Sequence, residues 1–129
     1  MAKFKIAQDP TFKADVAIPR VGGTSITVPF EFKYRDRTEL AELFTGWQER
    51  AAKQQESFEA SGKDVTLIEI TNTQMDLEVD QLKDLVVGWG FDDPVSEESI
   101  RALVRTSVGA GKAVTDAYQA AFRAAREGN

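Results

Sequence analysis

Carboxylates are the side chains of this sequence best suited to chemistry, and they fall into two groups. Paired carboxylates can act as general acid and base or bind hard cations such as Ca²⁺. The chain has no histidine and no cysteine, which removes imidazole and thiol catalysis, disulfides and thiolate metal sites. The sequence around the carboxylates therefore decides whether it encodes a catalytic or metal site.

The first group has some of the spacing of a calcium-binding loop and consists of Asp76, Glu78, Asp80 and Asp84. A loop beginning at Asp76 would need glycine at position 81 and a bidentate carboxylate at position 87. Gln81 and Val87 stand there instead, and the apolar residues of the segment recur at helical spacing. The pattern favours a solvated helix face over a calcium site.

The second group lies in and after a tryptophan-bearing turn and consists of Asp92, Asp93, Glu97 and Glu98. Asp93-Pro94 is typical of a turn, and Ser96 followed by two glutamates is typical of a helix start. These roles account for most of the carboxylates. An electrostatic contact with a basic protein partner is therefore favoured over catalysis or metal binding.

The turn from Gly88 to Glu98 is accordingly the best candidate for a protein-interaction site, because exposed aromatic residues beside carboxylates make good protein contacts. The candidate contact residues are Trp89, Phe91, Asp92, Asp93 and Glu97. Trp89 fits core packing equally well, whereas Phe91 and Asp93 lie outside the apolar stripes. We therefore expect Phe91→Ala combined with Asp93→Lys to weaken partner binding without disturbing the fold.

Length and composition predict one domain, residues 1–129, that neither binds nucleic acid nor spans a membrane. Hydrophobic residues make up 42% of the chain, enough for one core. The net charge is −5, all of it in residues 63–129, and an acidic chain lacks the basic face that nucleic-acid binding needs. No run approaches the roughly 18 apolar residues of a membrane span, and the first residues lack a signal-peptide core. We expect a cytosolic protein.

The N-terminal part predicts a β-hairpin over residues 12–34, with strands at 12–18 and 25–34. Gly22-Gly23 supplies the turn, since no lysine or helix start follows it as a phosphate-binding loop requires. Alternate residues of the second strand are apolar: Ile26, Val28, Phe30, Phe32 and Tyr34. Pro29 has no N–H, which predicts a sheet edge there. Isolated hairpins are marginally stable, so the apolar face must pack on helices or another subunit.

The rest of the chain, residues 38–126, predicts about four helices. Asp36 and Glu39 form a capping-box pattern before a helix over 38–60. Residues 49–57 are polar almost all round, so this half of the helix is expected to project or fray. Trp47 lies on the apolar stripe of the first half and is assigned to the core.

The second predicted helix runs from Gln74 to the glycines at 88 and 90, and its apolar face holds Met75, Val79, Leu82, Val86 and Trp89. Residues 65–71 fit either a short strand or the first turns of this helix. Ser96 caps a third helix, and a fourth runs over residues 112–126. Its apolar stripe contains Val114, Ala117, Tyr118, Ala121, Phe122 and Ala125. The predicted class is α+β: an N-terminal β-hairpin or small antiparallel sheet packed on these helices.

Several segments, in this order, carry a family resemblance. They are residues 3–7 with 10–13, the hairpin 16–32, the basic link 33–37, the turn from Gly88-Trp89 through Asp93-Pro94, Ser96 and Glu98, and the helix ending in Asp116-Ala117-Tyr118. Together they resemble the tail assembly chaperones of long-tailed, lambda-like bacteriophages. The chain departs from the expected pattern at Ser107–Ala110, where a Tyr-Pro pair is expected before the last helix.

The resemblance implies a function without catalysis or a cofactor. Such chaperones coat the tape measure protein and recruit tail tube subunits during tail morphogenesis, in the host cytoplasm, and are absent from the finished virion. Self-association into a homo-oligomer is expected as well. The alternative is a general acidic adaptor or regulatory subunit that binds a host protein. An enzyme ranks third, because no Ser, Lys or carboxylate sits in a recognisable catalytic constellation.

The resemblance also implies a longer product of the same gene, made by a −1 ribosomal frameshift near the end of the short reading frame. Glu127-Gly128-Asn129 can be encoded as GAG GGA AAC, which contains the slippery run G GGA AAC. We therefore expect a frameshifted longer form of the chain as a further partner. A gene that lacks such a run would contradict the hypothesis for this site.

Overall fold

A computed structural model of the protein describes residues 4–62 and 64–127, with side chains up to residue 124. The elements are β1 (Thr11–Pro19), β2 (Ser25–Lys33), α1 (Arg37–Ala60), α2 (Leu67–Leu85), β3 (Val86–Trp89), α3 (Glu97–Thr106) and α4 (Ala110–Glu127). The strands form one antiparallel sheet in the order β1-β2-β3. The predicted α+β class, a small sheet with four helices, is confirmed. Residue 3 of the resemblance, the side chain of Ala125 and the frameshift residues Gly128 and Asn129 lie outside this description.

The predicted hairpin is confirmed. β1 and β2 pair in continuous register from Thr11 opposite Lys33 to Pro19 opposite Ser25. Gly22 and Gly23 make the turn with φ angles of 92° and 81°, a region that favours glycine. The residues buried on the inner face of the hairpin are Val16, Ile18, Val28, Phe30 and Phe32. The alternation of β2 thus holds for Val28, Phe30 and Phe32, whereas Ile26 is 38% exposed and Tyr34 lies beyond the end of the strand.

The sheet edge predicted at Pro29 is local, because β2 is the central strand but β3 pairs with it only from Phe30 to Phe32. The N–H of Gly90 donates to the Pro29 carbonyl at 2.9 Å. Pro29 can accept from this side but has no N–H to donate. The proline thus lies where the pairing with β3 ends.

The second helix ends at Leu85, four residues before the predicted end at Trp89. Val86 and Trp89 continue the helical spacing of α2, but their backbone pairs with β2, where Val86 faces Phe32 and Trp89 faces Phe30. Ladder hydrogen bonds to β2 have replaced the next turn of the helix, an override of local pattern by tertiary pairing. At the other end α2 begins at Leu67, capped by the Thr66 side chain, so residues 67–71 are helical.

The start of α1 confirms the predicted capping box. The Asp36 carboxylate accepts from the Glu39 N–H at 2.9 Å, and the Glu39 carboxylate accepts from the Asp36 N–H at 3.0 Å. No described residue of α1 is fully buried, and residues 51–57 are all exposed. The second half of α1 therefore projects from the core and remains helical. No helix in the described part of the chain is both long and apolar enough to cross a membrane.

The core lies between the inner face of the sheet and the helices α2 and α4, with α3 packed on both helices. Ser96 caps α3 as predicted, and α4 begins at Ala110, two residues before the predicted start. Tyr118 of α4 is fully buried, and its O–H donates to the Lys33 carbonyl at 2.8 Å. An Arg35 N–H donates to the same phenolic oxygen at 3.4 Å. Burial raises the pKa of Tyr118.

The loop between α3 and α4 is the place where the chain departs from the expected Tyr-Pro pair. Ser107 is buried, and its hydroxyl donates to the carbonyl of Pro19 at the end of β1. Gly109 has a φ of 88°, which proline, fixed near −65°, cannot adopt. The loop thus uses a serine hydroxyl and a glycine to turn the chain against the hairpin.

Gly90 allows a test of how β3 packs on β2. A Cβ at position 90 would lie 2.8 Å from Pro29 Cδ, whereas a Cβ at position 88 would meet nothing closer than Glu31 Oε1 at 3.4 Å. Gly90→Ala should lower the free energy of unfolding by about 1–3 kcal/mol, because the proline ring cannot bend away. Gly88→Ala is the matched control and should change it by less than about 0.5 kcal/mol. Urea unfolding measures both, and equal stability of the two variants would contradict the described packing.

Candidate functional site

The predicted interaction turn begins at the end of β3, and its two aromatic residues are only half-exposed. The Trp89 indole N–H donates to the Asp93 carbonyl at 2.6 Å, which closes the turn on itself. The rings of Trp89 and Phe91 meet edge to face with centroids 5.1 Å apart. Both rings also contact Phe30, at 5.8 and 6.1 Å.

The position of Phe91 corrects the expectation that it lies outside the core. Phe91 is half-buried and packs against the core cluster, because the loop folds its ring back onto Trp89. The periodicity of the flanking helices carries no information about a side chain in a loop. Phe91→Ala would therefore disturb packing as well as any contact with a partner.

The carboxylates of the turn differ in their surroundings. Asp92 and Asp93 are exposed, and neither makes an ion pair within the described residues. Glu97 pairs with Lys83 of α2 at 2.5 Å. That hydrogen bond lowers the pKa of Glu97 and raises the pKa of Lys83. Asp92 and Asp93 thus present uncompensated negative charge at the surface, and Glu97 fastens the start of α3 to α2.

The acidic residues of α2 lie on a helix, as the rejection of the calcium loop predicts, and Asp76 and Asp80 are on its solvated face with side chains 58% and 47% exposed, but most of these carboxylates also form contacts with other helices. Asp76 pairs with Arg101 of α3 at 2.9 Å. Asp84 accepts from the Trp47 indole N–H at 2.9 Å and from an Arg50 N–H at 3.1 Å, and Asp80 lies 3.6 Å from Arg50. These contacts join α2 to α1 and α3. The described residues contain no cluster of acidic side chains that could hold a metal ion.

Glu78 is the carboxylate of α2 that burial affects most. It is half-buried beside the first turn of α4, where a Cβ at Gly111 would collide with its Oε1 atom. Burial raises the pKa of Glu78, because a charged carboxylate loses hydration there. This side chain belongs to the packing of α2 on α4.

A second surface, which the sequence did not predict as a site, is an open groove between α1 and α4. Its volume is about 1080 Å³. The apolar lining comes mainly from Leu40, Phe44 and Trp47 of α1 and from Phe122 of α4. Trp47 packs partly against the core, as predicted, and also lines the groove, because the spacing of apolar residues does not distinguish a buried stripe from one that lines a groove.

The packing of Phe91 generates one test. Phe91→Ala should lower the free energy of unfolding by about 2 kcal/mol, less than the loss at a fully buried phenylalanine, because the ring is only partly buried. Asp93→Asn, which leaves the carbonyl for Trp89, should change it by less than about 0.5 kcal/mol. Thermal or urea unfolding distinguishes the two variants. An unchanged stability of Phe91→Ala would place the ring in solvent.

The half-buried carboxylate of Glu78 generates a second test. A raised carboxyl pKa means that the folded protein binds this proton more tightly than the unfolded chain does, so stability falls as pH rises through the ordinary carboxyl range. Glu78→Gln should therefore raise the free energy of unfolding at pH 7 by a few tenths of a kcal/mol, a small gain because solvent screens the exposed half. The exposed Glu42→Gln variant serves as control. A loss of stability in Glu78→Gln at neutral pH would show that the charged form is favourable.

The family comparison completes the description of these surfaces. A family model described as phage tail assembly chaperone matches residues 1–129. No curated protein and no solved structure matches the chain. Because the family model covers every residue, the resemblance read from the sequence is confirmed, and the chain belongs to the phage tail assembly chaperone family.

Proposed function

We propose that this chaperone binds the tape measure protein and tail tube subunits during tail morphogenesis and that it does so without catalysing a reaction. The observation that carries the proposal is the family match over all 129 residues. The described surface is consistent with it, since it offers a charged turn and an apolar groove at separate places. Separate contacts of modest strength allow a chaperone to be displaced once the tail is built.

The proposed contact at the turn consists of Trp89, Phe91, Asp92, Asp93 and Glu97. Asp92 and Asp93 supply exposed negative charge for a basic patch of a tail protein, while Glu97 is paired with Lys83. Trp89 and Phe91 hold the shape of the turn through their mutual ring contact and offer their exposed halves to the partner. The two rings assist binding by keeping the turn rigid, which lowers the entropy lost when the partner binds.

We also propose that the chain self-associates and that a frameshifted longer form takes part in the same assembly, in the host cytoplasm and outside the mature virion. Self-association has an apolar surface available at the start of α2, where Leu67 and Ile68 are 79% and 69% exposed. Apolar side chains this exposed, clustered in one turn of a projecting helix, are typical of contact surfaces. The longer form rests on the family resemblance and on the codons that Gly128 and Asn129 permit.

The test of this function is co-expression of the tagged chain with the tape measure and tail tube proteins encoded beside it, followed by pull-down and sizing. We expect capture of at least one of them. Asp92→Asn combined with Asp93→Asn should weaken the captured complex by about fivefold, since exposed ion pairs are each worth well under 1–2 kcal/mol. Glu49→Gln with Glu56→Gln removes the same charge from the projecting half of α1 and is the control.

The outcomes separate the parts of the proposal. Unchanged capture by the folded Asp92/Asp93 variant would remove the turn from the interface and leave the chaperone function standing. Capture of neither tail protein, with the short chain and with the longer form, would favour an acidic adaptor for a host protein. Turnover in a hydrolase screen that depended on Asp92 or Asp93 would contradict a role without catalysis.

A further inference from the structure

The groove between α1 and α4 lies beside a helix that is attached to α2 through polar contacts and to the core through the partly buried side chains of Leu40, Leu43 and Trp47. Trp47 and Arg50 both donate to the Asp84 carboxylate, and α1 makes its main packing contacts with α2. On the opposite wall of the groove, the ring of Phe122 in α4 packs against the rings of Tyr118 and Phe12, with centroid distances of 5.1 and 5.5 Å. Of the large apolar residues of α1, Leu40, Phe44 and Trp47 line the groove, whereas Leu43 packs on the core outside the lining.

The charge of the groove is opposite to that of the chain. The chain carries 21 acidic and 16 basic side chains, yet none of the carboxylates whose side chains the structure describes lines the groove. Its charged residues are Arg37 on α1 and Arg123 on α4, and neither forms an ion pair within the part of the chain that the structure describes. The neutral polar residues of the lining are Gln48, Gln81 and Gln119. The groove thus presents an apolar floor and two guanidinium groups that have no ion-pair partner among the described side chains.

The length of the groove matches a helix of several turns. Its wall on α1 extends from Arg37 to Ala51, which at 1.5 Å per residue is about 21 Å, or roughly four turns. An adjoining cavity of about 460 Å³ shares Arg37, Leu40 and Phe122 with the groove, continues to Thr11 at the start of β1, and has one carboxylate, Asp9, beside the basic Arg35 and Arg37 in its lining. Two helices already flank the groove, so a third can lie along their apolar stripes.

We propose that this groove binds an amphipathic α-helix of a partner protein, with its apolar face on Leu40, Phe44, Trp47 and Phe122 and with carboxylates at its flanks near Arg37 and Arg123. The helix-in-groove mode supplies affinity through apolar anchors at spacings of three and four residues, and the two arginines select for acidic flanks. The identification of the partner as the tape measure protein rests on the proposed function. The chain's own segment Phe4–Ile6 is exposed and apolar but carries Lys5, so its charge does not suit the groove.

The first experiment uses two synthetic helical peptides of about 14 residues, alike in an apolar leucine face and different in their flanks, which are glutamates in one and lysines in the other. Trp89→Phe leaves Trp47 as the single tryptophan, and its fluorescence reports occupation of the groove. We expect the glutamate peptide to bind and the lysine peptide to bind at least tenfold more weakly. Equal binding, or preference for lysine, would overturn the proposal.

The matched variants test the two arginines. Arg37→Gln with Arg123→Gln should weaken the glutamate peptide by about three- to thirtyfold, as expected for two exposed ion pairs. Lys13→Gln with Lys53→Gln removes the same charge outside the groove and should leave binding unchanged. Phe44→Ala tests the floor, with thermal unfolding to verify that it folds. If the arginine variant and its control bind equally well, the groove does not select acidic flanks and the proposal fails.

A co-expression experiment distinguishes this inference from the proposed function. If the wild-type chain captures the tape measure protein and the arginine and Phe44 variants capture it equally, the groove is not the docking site, although the chaperone function stands. If the wild-type chain captures no tail protein but binds the glutamate peptide selectively, the function is wrong and the helix-binding groove is supported. A wild-type oligomer that dissociates in the groove variants would identify a second copy as the occupant and overturn the proposal.

Discussion

The rest of the structure depends on covering the single apolar face of a three-stranded sheet. So small a sheet is not stable with its inner face in water, and Phe30 and Phe32 of β2 are fully buried by what packs on them. α2 and α4 supply that cover, and α3 wedges against both. Tyr118 fixes α4 in place, since its ring lies against Phe32 at 5.4 Å and its O–H bonds to the last carbonyl of β2.

Because α2 and α4 cover the sheet, α1 has no fully buried residue within the described chain. The surface of α1 is therefore available for function. α1 is attached through Asp84, whose carboxylate receives Trp47 and Arg50 while its backbone carbonyl receives Arg35 at 2.7 Å. Asp84 thus helps to position α1, together with Asp80, which lies 3.6 Å from Arg50, and with the partial burial of Leu40, Leu43 and Trp47. Because no described residue of α1 is fully buried, part of its apolar stripe remains available to another protein.

The acidic character of the chain is distributed unevenly, and the distribution defines two kinds of surface. Asp76, Asp80 and Asp84 of α2 form ion pairs with Arg50 and Arg101. Asp92 and Asp93, in contrast, have no ion-pair partner within the described residues. The groove has the reverse arrangement, with two arginines and no carboxylate among the described residues of its lining. A member of the tail assembly chaperone family can thus meet partners of opposite charge at places that do not overlap. This arrangement suits a protein that brings tail components together.

The sequence by itself determined the elements whose signals are local. Alternation in β2 from Val28 to Phe32, the glycine turn and the caps at Asp36 and Ser96 are interactions between near neighbours, and all appear as predicted. The tertiary structure alone decided three further features: the conversion of Val86–Trp89 from helix to strand, the return of Phe91 onto Trp89 and Phe30, and the open groove beside α1. Each of these features depends on contacts between residues that are far apart in the sequence. Helical or strand spacing shows only that an element has one apolar face. The spacing carries no record of whether core, solvent or a partner lies opposite.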